Sequence, residues 1–564
     1  MFKKLKKYQF SFTQIIFGYA LYVSLAFNQN VFSGLTKYFS TAAASTSHIF
    51  EYFYILLFFL LILFSIVIFF LLVGTRYLLK PLILIILIIS SILLYYQSIY
   101  GVSVHEEIIL SGIDSVQENN FSEIHDLLSM KLFVLIFSMG IVPGIPLLFI
   151  KINYPFFIKE WRIRLLSIVL IIVVLLGLIV ANYKSVSLTT RSVKEINKLL
   201  IPHYTLNSIV KILIKSFAAK KIYTILDSSP TTDLDDEIIG IVVIGETARA
   251  DRFGINGYEK NTNPLLIKQN IINYKNASSC GTLTKISVPC MFFLGDYKNY
   301  SATNARYQQN ALDVIVQSGI EVLWLENNSS CKHVCDRIKK IDTIQQGFNI
   351  YDETLVNIVE EALLNKISSD WNPKKKFPIL GDPMRADPGT FVNNLVNFQK
   401  NKKSLIVLHT MGSHGPKYHE RFPKEFEKFK PSCKSNNPQE CTQEELSNAF
   451  DNTILYTDFI LDSLIKILKK QNKQSFLIYA SDHGESLGEN GLYLHGIPVK
   501  FAPKEQTHIP WIVWYSDKYK KNNKISFVKS EEKITHEFFP HTILKSLKIK
   551  STTLKEEKSL IRLN

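Results

Sequence analysis

No cysteine precedes Cys280 in this 564-residue chain, and several long stretches ahead of it hold no charged residue. The missing charge excludes a single water-soluble domain, because about 20 consecutive apolar residues match the roughly 30 Å of hydrocarbon in a bilayer. Residues 55–73, 132–150 and 165–183 are such runs; another begins at Pro81, and one covers residues 8–36, where Gln14 and Asn28 blur its ends. Five membrane spans are expected. The lysines at Lys3, Lys4, Lys6 and Lys7 raise a cleaved signal peptide as an alternative for the first run, but no clear small-x-small cleavage site follows it. Acidic residues are also the minority, 49 against 64 Lys and Arg, for a formal charge of +15. That excess suits anionic lipid headgroups, and equally a lysine-rich compositional habit.

Basic residues set the orientation. The N-terminal lysines, Arg76 with Lys80, and Lys151, Lys159, Arg162 and Arg164 fall in alternate connections and belong on the cytoplasmic side. The connection after the third span carries Glu106, Glu107, Asp114, Glu118, Glu123 and Asp126, and belongs outside, as does everything after Tyr183. The cysteines agree. All six lie in that outer part, as Cys280 and Cys290, Cys331 and Cys335, and Cys433 and Cys441, a pattern of short-range disulfides in an oxidising compartment. Closeness in the chain favours pairing of neighbours, and a zinc knuckle at Cys331 and Cys335 is the competing reading.

Three regions follow: a transmembrane domain over 1–183, a bridging segment over 184–236 and a soluble domain over 237–564. The bridging segment contains IVKILIKSF near Ile209, read either as a helix lying on the membrane surface or as an ordinary linker helix. Beyond it come short β-branched runs, IIGIVVI from Ile238, IEVLWL from Ile320, SLIVL from Ser404, SFLIYA from Ser475 and IPWIVWY from Ile509. Separated by helical stretches, they predict an α/β fold with a mainly parallel sheet and helices on both faces. Glu246 follows the first run, His409 the third, and Asp482 with His483 the fourth. Ligands of open α/β sheets bind outside the carboxyl ends of the strands, so these distant residues are placed to converge.

Glu246, Asp482 and His483 are oxygen and imidazole ligands that zinc accepts, and three protein ligands leave a fourth position for chemistry. For Glu246 alone, capping of a following helix is the competing role. The adjacent Asp482 and His483 are more specific, because Gly484 lets the backbone bend so that both approach one ion. The segment from Ser279 to Cys290 supplies hydroxyls, which need a base or a metal to become nucleophiles. Spacing alone does not separate Thr282, Thr284 and Ser287 as candidates, and a purely structural turn is the alternative.

IGETARADRFGINGY from Ile244, SCGTLTKISVPCMF from Ser279, CKHVCDR from Cys331, LHTMGSHGP from Leu408 and SDHGESLGENGLYLHG from Ser481 together resemble the phosphoethanolamine transferases of the alkaline phosphatase superfamily, whose relatives include enzymes that confer polymyxin resistance by modifying lipid A. The resemblance covers the soluble domain in the family's motif order, and the five spans fit it. It implies a sulfatase-like sheet in the periplasm, carried by an inner-membrane protein. It makes Thr284 the nucleophile, and Glu246, Asp482 and His483 its zinc ligands together with the threonine oxygen; Thr282 becomes a loop residue. His414 and His495 would hold the donor phosphate, a second zinc or the leaving oxygen, with His409 and Lys332 nearby. The implied donor is phosphatidylethanolamine and the leading acceptor lipid A, with a monomer and no nucleic-acid partner expected.

Two departures stand out. Lys285 and Ile286 follow the nucleophile where the family commonly has a small residue and then often an aromatic one. In the loop after the third span, where the family shows Asn, Thr and Glu at four-residue spacing, this chain has Ser111, Ser115 and, after a short insertion, Glu123, so headgroup recognition there is expected to differ. A related hydrolase, a glycerophosphate transferase like the lipoteichoic acid synthases, and a non-catalytic membrane sensor are the rival readings; the complete set of Glu246, Thr284, Asp482 and His483 argues against the last.

Overall fold

The structure, a computed structural model, describes residues 9–42, 48–101, 103–117, 128–181, 186, 196–216, 222–328, 330–338, 340–341, 351–364, 398, 402–435 and 437–563. The chain forms two compact units, residues 1–109 with 128–218, and residues 110–127 with 219–564.

In the first unit Phe50–Val73, Leu79–Tyr100, Met130–Phe149 and Phe157–Ala181 are long and apolar enough to cross a membrane. A fifth span results if Phe12–Ala26 and Gln29–Ser40, bent by 54° to each other, count as one. The bend falls at Asn28. Its buried side chain donates to the carbonyls of Val23 at 3.2 Å and Ile201 at 2.9 Å, and accepts from the Ile201 amide at 2.9 Å. Where water is excluded, backbone groups freed at a break must find such partners. Arg164 acts similarly at the end of another span, donating to the Gly74 carbonyl at 2.7 Å while paired with Glu160 at 2.7 Å; a cation suits the negative C-terminal end of a helix. Residues His203–Ser216 form a helix that exposes Val210, Leu213 and Ile214. The acidic connection contains a helix, Glu106–Gln117, which carries Ser111 and Ser115; Glu123 lies outside the described residues.

The second unit is built on a seven-stranded sheet. Its strands are β1 (Ile238–Gly245), β2 (Ile272–Asn273), β3 (Glu321–Glu326), β4 (Lys340–Ile341), β5 (Lys403–His409), β6 (Gln474–Ser481) and β7 (Trp511–Tyr515), in the order β2-β7-β6-β1-β5-β3-β4. All pairings are parallel except those of β7 with β6 and β2. β1 is buried along its whole length because both faces are covered. Ile239, Ile241 and Val243 face a core shared with Leu461 and Ile465, while Ile238, Val242 and Ile244 face one shared with Leu312 and Phe539. Such burial explains why the strand reads as a continuous apolar run rather than an alternating one.

The run IPWIVWY differs from the expectation of one strand. Pro510 has no N–H for a ladder, and the chain changes sheets there: His508–Ile509 pairs with Asn276–Ser278, and only Trp511–Tyr515 joins the main sheet, antiparallel. The long helix Gln443–Lys470 starts at a capping box between Thr442 and Glu445, with Glu444 and Glu445 in its first turn and Lys469 and Lys470 in its last, charges that complement its dipole. Burial of Leu461, Leu464, Ile465 and Leu468 holds it to the sheet, at roughly 1.5–3 kcal/mol for each side chain.

The cysteines pair as neighbours, Cys280 with Cys290, Cys331 with Cys335 and Cys433 with Cys441, and none is free. The Cys331 pair is therefore a disulfide turn and not a zinc knuckle.

Candidate active site

The carboxyl ends of β1, β3, β5 and β6 bring together residues from four parts of the chain. The Asp482 amide continues the β1 ladder by donating to the Gly245 carbonyl at 2.8 Å, and the Ser481 hydroxyl bridges the Ala248 amide and the His483 carbonyl at 2.8 and 2.9 Å. Glu246 and the Asp482–His483 pair thereby become neighbours although more than 200 residues separate them. Ligand atoms of Glu246, Asp482 and His483 all lie within 4.8 Å of one another, and all three residues are fully buried. Two glycines permit this closeness. A Cβ at Gly412, whose φ is +50°, would lie 2.8 Å from the Glu246 carbonyl oxygen, and one at Gly484 would lie 2.1 Å from that of Glu505. Gly484 thus supplies room for the backbone at Glu505, a different use of glycine from the bend expected at this position.

Thr284 opens the helix Thr284–Met291. Its Oγ1 donates to the Glu246 carboxylate at 3.1 and 3.3 Å and lies 3.5 Å from His483 Nε2. Thr282 is turned elsewhere, donating to the Ile497 carbonyl at 2.6 Å. The tertiary structure thus distinguishes two hydroxyls that spacing leaves equivalent.

The protonation pattern follows from burial. His483 Nδ1 sits 2.9 Å from the Gly484 carbonyl, so the proton belongs there and Nε2 turns a lone pair inward. Burial pushes His483 well below the ordinary histidine range and raises Asp482 to about 6. That lone pair lies 3.3 Å from Asp482 Oδ2 and 3.5 Å from Glu246 Oε1. Asp482 Oδ1 accepts from the Thr247 and His483 amides at 3.2 and 2.7 Å, but Oδ2 accepts no hydrogen bond among the described residues. Three lone-pair donors facing one another repel unless a cation stands between them. The donor set, two carboxylates and a neutral imidazole beside a hydroxyl, fits a zinc ion.

Other side chains hold these in place. Asn328 Nδ2 donates to Glu246 Oε2 at 2.8 Å and to the Thr410 carbonyl at 2.9 Å. Buried Asp352 accepts from the Met411 and Gly412 amides at 2.9 and 3.0 Å, tying down the loop that carries His414. The His495 ring centroid is 4.5 Å from that of His483 and 5.4 Å from that of His414, and His495 Nδ1 pairs with Glu485 Oε1 at 3.2 Å. His409 and Lys332 are buried; Lys332 sits in the Cys331–Cys335 turn with φ of +47°. His536, held neutral by burial with its pKa lowered to about 4, accepts from the Cys280 amide at 3.3 Å and donates to the Ser481 carbonyl at 3.0 Å. It links the disulfide loop of Thr284 to the strand before Asp482.

The structure brings Glu246, Thr284, Asp482 and His483 together, with His414 and His495 beside them. Ser111 and Ser115 lie on the helix Glu106–Gln117. Sequence reading missed Glu326, Asn328 and His536, and gave Glu485 no role of its own beyond following Asp482 and His483. Glu326 and Asn328 carried a usable signal, since they stand at the carboxyl end of the run IEVLWL just as Glu246 follows β1. His536 carried none.

Comparison with known proteins identifies relatives of this chain. Residues 239–549 match the sulfatase family, and residues 61–217 match the family described as phosphoethanolamine transferase EptA/EptB. The chain is 33% identical to phosphoethanolamine transferase EptA of Escherichia coli over 459 residues, 76% of this chain and 75% of that one. It is 33% identical to phosphatidylethanolamine transferase Mcr-1 of Escherichia coli over 478 residues, 83% of each. Among solved structures, the integral membrane lipooligosaccharide phosphoethanolamine transferase A of Neisseria meningitidis superposes with a TM-score of 0.83 at 29% identity, covering 98% of both chains.

Proposed function

The chain belongs to the lipid A phosphoethanolamine transferases, a family of membrane enzymes in the alkaline phosphatase superfamily, and from that membership we propose that it moves phosphoethanolamine from phosphatidylethanolamine to lipid A through a covalent intermediate on Thr284. The observation that carries this reading is the Thr284 hydroxyl, hydrogen-bonded to Glu246 at 3.1 Å within the buried cluster of Asp482 and His483. Thr284 Oγ attacks the donor phosphorus, its P–O bond to glycerol breaks, and diacylglycerol leaves with a proton. An acceptor oxygen then attacks the same phosphorus and displaces Thr284 Oγ, which takes up the acceptor's proton and returns to a hydroxyl. One difficult displacement becomes two.

Glu246 receives the Thr284 hydrogen bond and orients its oxygen. His414 and His495 flank the cluster, placed to bind the donor phosphate and to pass a proton to the leaving oxygen, with Lys332 contributing positive charge. Glu246, Asp482, His483 and the Thr284 oxygen would hold a zinc ion, which supplies charge stabilisation for a transferring phosphoryl group and a lowered hydroxyl pKa. Three disulfides support a catalytic domain, residues 237–564, in the periplasm, tethered through the bridging segment 184–236 to an inner-membrane domain, residues 1–183. An added ammonium offsets lipid A phosphate charge, so lower susceptibility to polymyxin and other cationic peptides follows.

The test is transfer of labelled headgroup from phosphatidylethanolamine in vesicles containing lipid A, read by mass spectrometry. Label on lipid A is expected; label released only as free phosphoethanolamine would identify a hydrolase instead. Glu123 is proposed to attract the donor ammonium, with Ser111 and Ser115 on the same connection completing the headgroup site. Glu123→Gln should lower transfer from membrane-embedded phosphatidylethanolamine and leave turnover of a small soluble phosphoethanolamine ester unchanged; unchanged lipid transfer removes Glu123 from the site.

A further inference from the structure

Glu326 ends β3 with 4% of its surface exposed. Trp324 Nε1 donates to its Oε2 at 2.7 Å, the Asn328 amide donates to its Oε1 at 3.0 Å, and His409 Nδ1 lies 2.7 Å from the same Oε1. Burial opposes ionisation there, yet the His409 and Trp324 contacts and the charge of Lys332 hold the Glu326 carboxyl below its ordinary range. A buried carboxylate is tolerated only with such partners.

His409 ends the adjoining strand β5, fully buried, and the strand register sets it beside Glu326 on one side and Ile244 of β1, two residues before Glu246, on the other. One edge of its ring therefore meets Glu326. Both ring nitrogens are buried: Nδ1 meets Glu326 Oε1 at 2.7 Å without the alignment of a hydrogen bond, and Nε2 makes no hydrogen bond among the described residues. A carboxylate beside Nδ1 fixes the ring's orientation.

We propose that Glu326 is a positioning residue for phosphoryl transfer: it holds His409 at Nδ1 so that Nε2 is left to hydrogen-bond a phosphoryl oxygen of the donor at the carboxyl ends of the strands. The inference rests on the phosphoethanolamine-transfer reading and extends it. Glu326 touches no substrate itself. Its effect passes through His409 and is felt as negative charge builds on the phosphoryl oxygens.

The experiment uses the full chain in vesicles of labelled phosphatidylethanolamine with lipid A. Glu326→Gln keeps the shape and an acceptor for Trp324 but removes the anion. Its kcat should fall about 10–100-fold, with KM, melting temperature and bound zinc unchanged, and His409→Gln should match it. Placed on His409→Gln, the Glu326→Gln change should cost nothing further, because both remove the same interaction. Wild-type kcat in Glu326→Gln, or a full additional loss in the double variant, overturns the proposal. Should Glu326→Gln fail to fold, His409→Gln decides alone, and wild-type turnover there overturns it. Failure of the wild-type protein to transfer label is a separate outcome, which sinks the functional reading itself.

Discussion

Thr284→Ala is expected to abolish transfer, lowering kcat by roughly 10⁴-fold or more, the scale seen when a covalent nucleophile is removed. The variant should fold. Thr284 lies at the first turn of a short helix whose anchoring comes from buried Val288, Pro289, Cys290 and Met291, and none of these is touched. Thr282→Ala is the matched control, because it also removes a buried hydroxyl two residues away. It loses a hydrogen bond to the Ile497 carbonyl, at about 1 kcal/mol, but no group that reaches Glu246, so its kcat should stay within about tenfold of wild type by the same conversion. Wild-type protein quenched during turnover should carry phosphoethanolamine on the peptide spanning Thr284. Comparable rates for wild type and Thr284→Ala, or the adduct on another residue, would refute the assignment.

Removal of zinc is expected to stop transfer as completely, and re-addition of about one equivalent per Glu246, Asp482 and His483 cluster should restore it, since hydroxyl activation and phosphoryl charge stabilisation are both lost. The pH dependence gives this a sign. Burial raises the metal-free Asp482 carboxyl from 3.8 to about 6, so below about pH 6 a proton competes for the ligand oxygen and zinc affinity should fall roughly tenfold per unit. Between those pH values the metal-free folded protein binds a proton that the unfolded chain has lost. Its stability therefore declines as pH rises through the window. Zinc should offset that decline, making the zinc-induced rise in melting temperature larger at pH 7 than at pH 5. An equal rise at both values would mean that Asp482 is not a ligand. Asp482→Ala should abolish the rise altogether.

Much of this molecule was legible in its sequence for one reason: some physical penalties act on a residue whatever surrounds it. Hydrocarbon excludes charge wherever the charge stands in a fold, so the spans could be read from composition. The disulfides could be read because closing a loop between near neighbours costs little entropy. Burial on both faces of a parallel sheet demands apolar runs, and polar residues at their ends therefore announce themselves, as Glu246, Asp482 and His483 did. The same logic applied to IEVLWL would have found Glu326 and Asn328.

Other features exist only as relations between distant residues, and only the tertiary structure decided them. Asn28 reads as a polar blemish in an apolar run; its worth is the pair of hydrogen bonds to Ile201, which no window of sequence contains. Thr282 and Thr284 are chemically alike and two residues apart, and what separates them is which carbonyl or carboxylate the folded backbone sets within 3 Å or so. Gly484 signals flexibility by itself, yet what it provides is space for the Glu505 carbonyl. His536 joins Cys280 to Ser481 with no local pattern to mark it. The sequence by itself determined which solvent each segment meets and which residue types gather at the strand ends. The structure decided which of those side chains face one another, because hydrogen bonds and charge repulsion act over a few ångströms of space and take no account of separation along the chain.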